Sequence, residues 1–127
     1  MSRSSPTQPT QIYLADTTGK RLNWINENAI VAGHPYAPYL ASHRETKFGT
    51  IKADDGTTLY WEMITPKLVP GKRYPVFFQH YGGPGTGQQV TRGWQGALPQ
   101  YLVSQGWVYF KIDNRGSYNR GKAFEDQ

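Results

Sequence analysis

The 127-residue chain has no cysteine. Disulfides and thiolate metal sites are thereby excluded, and the redox compartment stays open. Histidine is scarce as well: His34, His43 and His80 stand alone, without the close spacing that a helical zinc pair needs. No apolar run nears the roughly 20 residues of a membrane span. The opening MSRSSPTQPT has no hydrophobic stretch behind its arginine to make a signal peptide. Dense charge of one sign is missing too. The net charge is +5, yet the 14 lysines and arginines are scattered, so no basic stripe tracks a phosphate backbone and nucleic acid is not the expected partner.

What the chain does have is turns and rings. Its 14 glycines and nine prolines accompany four tryptophans, nine tyrosines and five phenylalanines, and the mean hydropathy is −0.67. A loop-rich globular chain follows, short of the composition of disorder. Residues 1–10 have almost nothing to bury and read as a disordered lead-in. Ile12, Tyr13 and Leu14, the turn Asp16 to Gly19, and then Leu22 and Trp24 read as a hairpin. A lone hairpin is marginal, so it needs a sheet from elsewhere. The next segment, to Arg44, reads as a connector with Tyr36 and Tyr39 packed into it. Beyond Lys47, KFGTIKA and TTLYWEMIT form two strands joined by a two-residue Asp55-Gly56 turn. Leu59, Trp61 and Met63 share one face of the second strand; Thr58, Tyr60 and Glu62 share the other, as in a strand with one wet side.

The stretch with most to say is YPVFFQHYGGPGTG, Tyr74 to Gly87. Val76, Phe77 and Phe78 run without alternation, which suits a strand covered on both faces. A helix over 97–105 follows, with Pro99 in its first turn, Leu98, Tyr101 and Leu102 on one face, and Gly106 as its stop. Trp107 to Ile112 is a second apolar strand broken only by Lys111. Strand, helix, strand makes a parallel pair, hence an α/β sheet entered through an antiparallel hairpin. Ligands in such sheets bind beyond the carboxyl ends of the parallel strands, which selects His80 to Gly87 and Asp113 to Gly121. The first loop lacks G-x-G-x-x-G spacing and a following Lys-Ser or Lys-Thr, so phosphate binding is set aside. A glycine turn with no chemistry and an oxyanion site both remain. In α/β hydrolases the loop after the third strand supplies one oxyanion donor, and a tyrosine hydroxyl can serve, which makes Tyr81 the candidate. None of Ser2, Ser4, Ser5, Ser42, Ser104 or Ser117 lies in a G-x-S-x-G elbow, and the order His80, Asp113, Ser117 is not that fold's Ser, Asp, His. Asp113 and Arg115 either bind substrate or organise their own loop.

The run DGTTLYWEMITPKLVPGKRYPVFFQHYGGPGTGQQV, with WVYFKIDNRGSYNRG after it, resembles the prolyl oligopeptidase family of serine peptidases in its dipeptidyl peptidase IV branch, bacterial members above all. The resemblance covers about Ile12 to Gln127. It implies the last strands of a β-propeller and a connector over 11–45, and the N-terminal part of an α/β-hydrolase domain over 46–127. It implies that Tyr81 is the oxyanion tyrosine, that no cofactor or metal is needed, and that the parent removes X-Pro or X-Ala dipeptides from peptide substrates. Serine, aspartate and histidine would lie beyond Gln127, leaving this chain inactive alone. The parent would be periplasmic or secreted, with a homodimer one assembly open to it. A small non-catalytic binding module is the alternative.

Overall fold

The computed structural model describes residues 1–82 and 86–126. Two compact units form: Met1–His43 with Arg92–Gly96, and Arg44–Thr91 with Ala97–Gln127.

The first unit is a three-stranded antiparallel sheet in the order β1 (Ser2–Ser5), β2 (Gln8–Ala15), β3 (Arg21–Asn26). The expected hairpin is β2–β3. The expectation of disorder in residues 1–10 is not met, because these residues form β1 and the start of β2. Their polar side chains hide the pairing: a strand needs backbone partners more than apolar content, and Arg3 Nε donates to Gln11 Oε1 at 3.1 Å across the ladder. Tyr13 sits opposite Trp24, ring edge to face at 5.7 Å, and the Arg21 guanidinium lies 4.1 Å from the Trp24 ring centre. Side-chain amides tie the connector to β2: Gln11 Nε2 donates to Glu27 O and Gln8 Nε2 to Asn28 O, at 2.6 and 2.8 Å. Of the two connector tyrosines only Tyr36 is buried. It packs at right angles on Trp94, beside His43, whose ring stacks on the same tryptophan.

The second unit is a four-stranded sheet in the order β4 (Thr46–Lys52), β5 (Thr58–Ile64), β7 (Val108–Asp113), β6 (Val76–Gln79). The β4–β5 and β5–β7 pairs are antiparallel and β6–β7 is parallel, the mixed α/β sheet expected. The β4–β5 connection is longer than a two-residue turn. Ala53 N–H donates to Thr57 O, Gly56 N–H donates to Ala53 O, and of the loop residues only Gly56 takes a positive φ, +82°. This is the three-residue loop in which glycine closes a turn in the left-handed region.

Helix α1 (Leu98–Ser104) carries Pro99 in its first turn and ends at Gly106, φ +87°. Its buried face meets the expected one only at Leu102, which packs against the core. Pro99 and Val103, four residues apart, point inward, while Leu98 and Tyr101 are exposed. Val103 joins Ile64 and Tyr109 in the apolar core. A short helix α2 (Lys122–Glu125) follows, with Phe124 buried. Strand β6, expected to be covered on both faces, is an end strand with Val76, Phe77 and Phe78 exposed.

Candidate functional site

Alternation decides what β7 presents. Tyr109, Lys111 and Asp113 are buried on one face, and Val108, Phe110 and Ile112 take the other. The register sets Ile64 opposite Tyr109 and Glu62 opposite Lys111. Helix α1 covers the Ile64–Tyr109 half of this face through Val103. The remainder is charged and still buried: Glu62 is 0% exposed and Lys111 4%. The wet side expected for Glu62 is therefore wrong, because a cation stands opposite it in the ladder, 2.8 Å from Nζ to Oε1.

The segment after β6 lies on this charged half and uses all of it. Glu62 Oε2 accepts from Thr91 N–H at 3.1 Å, and Lys111 Nζ donates to Gln89 O at 3.2 Å. Asp113 accepts from the N–H groups of Gln89 and Val90. Three consecutive backbone N–H groups thus end on two buried carboxylates. Charge-assisted bonds of this kind are stronger than neutral ones. Tyr109 donates to Gln79 Oε1 at 2.6 Å. Burial first, and the nearby Glu62 carboxylate second, push its phenol up to about 12.

The two loops selected from the sequence are brought together. Tyr118 N–H donates to Thr86 O at 2.9 Å. Gly82 lies so close to Asn114 that a Cβ there would fall 1.8 Å from the amide nitrogen. Gly83, Pro84 and Gly85 of the glycine turn lie outside the described residues. Tyr81, two residues beyond the carboxyl end of β6, is 59% exposed.

Asp113 and Arg115 do not organise one loop by pairing with each other as expected. Asp113 holds the segment after β6, whereas Arg115 pairs with Asp55 in the β4–β5 loop. The Thr57 backbone N–H and hydroxyl, and then Arg115, hold the Asp55 carboxyl below its usual range. Ser117 is buried, and its hydroxyl donates to Asn114 O at 3.1 Å, a structural role. His80 is exposed and packs on the Phe78 ring. Sequence reasoning missed Glu62 and Lys111 as a pair. Their signal was a charge set inside each of two largely apolar strands, Glu62 in TLYWEMI and Lys111 in VYFKID.

Among the described residues no group of three His, Cys, Asp or Glu gathers as a metal site. Fold and site define a sheet-rich α/β segment whose two loops meet at the carboxyl end of a parallel strand pair. Along its whole length the chain matches a segment of the dipeptidyl peptidase 4 proteins. It is 40% identical over 132 aligned residues to an Aspergillus fumigatus protein assigned as dipeptidyl peptidase 4, covering 100% of this chain and 17% of the relative. A Trichophyton rubrum dipeptidyl peptidase 4 is 35% identical over 85 residues, 63% of this chain and 11% of the relative. Among solved structures, a Bacteroides ovatus protein assigned as dipeptidyl aminopeptidase IV matches with a TM-score of 0.75 at 39% identity, over 97% of this chain and 17% of that one. Porphyromonas gingivalis dipeptidyl peptidase 4 matches at 0.79 and 26% identity, over 98% and 17%. No family model matches. The chain spans about 17% of the relatives it matches in full.

Proposed function

We propose that this chain is the oxyanion-side segment of a serine-type dipeptidyl peptidase that releases X-Pro or X-Ala dipeptides from the amino terminus of peptides. The first unit corresponds to the last propeller strands and connector, the second to the N-terminal part of an α/β-hydrolase domain. The observation that carries the reading is Tyr81. It stands exposed beyond the end of β6, on a loop pinned beside it at Gly82 and again at Gln89 to Thr91.

In this mechanism a serine of the parent's remainder attacks the carbonyl carbon of the penultimate residue, its hydroxyl proton passing to a base of that remainder and from there to the leaving amine. The carbonyl π electrons move onto oxygen, and the Tyr81 hydroxyl donates a hydrogen bond to the oxyanion so formed. Collapse expels the amine of the shortened peptide, and water then releases the dipeptide from the acyl-enzyme. A donor aimed at charge that exists only in the transition state raises kcat more than it lowers KM.

Tyr81→Phe in the full-length enzyme is expected to lower kcat on an X-Pro-arylamide by about 10²- to 10³-fold, the cost of one oxyanion donor, with KM little changed. An unchanged kcat overturns the assignment. The isolated 127-residue chain is expected to show no turnover, since the donor stabilises nothing without a nucleophile.

A further inference from the structure

We infer that Glu62, Lys111 and Asp113 are positioning residues, a buried charged clamp that fixes the loop carrying Tyr81. This rests on the oxyanion reading of Tyr81 and extends it to groups that never touch substrate.

A sheet face this well buried would be filled at less desolvation cost by apolar side chains. A buried ion pair is often no more stabilising than hydrophobic residues of the same size. Here the charges do what an apolar side chain cannot, because each also holds backbone. Glu62 has one oxygen on Lys111 Nζ and the other on Thr91 N–H. Lys111 adds Gln89 O, and Asp113 takes the N–H groups of Gln89 and Val90. The segment is thus specified by three backbone donors and one backbone acceptor along three residues. An apolar face would let it slide, whereas hydrogen bonds of fixed direction do not. The other end of the loop is fixed by β6 and by the Gly82–Asn114 contact. Tyr81 stands between these two anchored stretches, the end of β6 and Gln89 to Thr91. A donor displaced by about 1 Å can cost up to 10²-fold in rate.

The test is a double-mutant cycle in the full-length enzyme. Single substitutions strand a buried charge, so the variant is Glu62→Gln with Lys111→Met, which removes both charges at nearly constant volume. Asp113→Asn keeps its shape, loses its charge, and serves as an independent arm if the first variant does not accumulate. Each is made in the native background and in the Tyr81→Phe background, with kcat and KM measured on an X-Pro-arylamide. The expected result is a fall in kcat of about 10- to 100-fold in the native background, with KM within about threefold and circular dichroism unchanged. In the Tyr81→Phe background the further loss is expected to shrink to about twofold or less, because no donor remains to misplace. Equal losses in the two backgrounds, or no loss in the native one, overturn the clamp while leaving Tyr81 as donor. If Tyr81→Phe alone leaves kcat unchanged, the oxyanion reading falls and the clamp's role falls with it.

Discussion

At the scale of single residues, the site depends on close approach as much as on polar groups. Gly82 has no room for a methyl group, because the Asn114 amide occupies that space. Gly82→Ala is expected to lower kcat of the full-length enzyme by about tenfold or more through the shift it forces on the neighbouring tyrosine. Gly82→Ala with Asn114→Ala is expected to recover most of that loss, and failure to recover would mean that backbone, not the amide, sets the limit. Tyr109 reports on the same face by titration. Its folded-state pKa, about 12, lies above the ordinary value of 10.0. The unfolded chain therefore loses its proton first as pH rises, and the stability Tyr109 contributes is complete below about pH 10 and is lost between about 10 and 12. Denaturant midpoints of the full-length protein across that window should fall, and Tyr109→Phe should remove that part of the slope.

At the scale of elements, β5 and β7 act as one unit. Lys111→Met alone leaves Glu62 buried without its counter-charge, which is expected to destabilise by about 3–5 kcal/mol. Adding Glu62→Gln should restore most of that stability, measured as the shift in denaturant midpoint, even though activity stays low. Much of this architecture is readable in advance from local pattern. The β2–β3 and β4–β5 hairpins, the apolar runs of β6 and β7, and the stop of α1 at Gly106 all follow from alternation and turn chemistry. The loop between β4 and β5 does not, because Asp54 joins the turn and leaves only Gly56 in the left-handed region. The inward face of α1 also escapes reading: Leu98 and Tyr101 are as apolar as Val103, and only the position of Ile64 and Tyr109 selects among them. The charged clamp is the least legible part. Glu62 and Lys111 become partners only through the β5–β7 register, which no local pattern encodes. Tyr81 is proposed from a local pattern, a tyrosine beside a glycine turn after an apolar strand.

At the scale of the whole molecule, the end strand β6 leaves Val76 and Phe78 more than half exposed. An unpaired strand edge with apolar side chains templates association. The isolated chain is expected to self-associate with rising concentration in sedimentation velocity and to bind a hydrophobic dye; a soluble monomer with sharp cooperative unfolding would count against this. His43 adds an acid-side dependence. Burial lowers its pKa, so its contribution is present above about pH 6.5 and is lost as pH falls and the unfolded chain takes up the proton first. The pairing of Glu62 with Lys111 has one more consequence, for folding rather than for catalysis. A one-residue slip of β7 against β5 would turn Lys111 outward and set Phe110 or Ile112 against a carboxylate with no water and no cation. Such a misaligned sheet would incur the full cost of an orphaned charge, so the pair disfavours the slipped register relative to the native one.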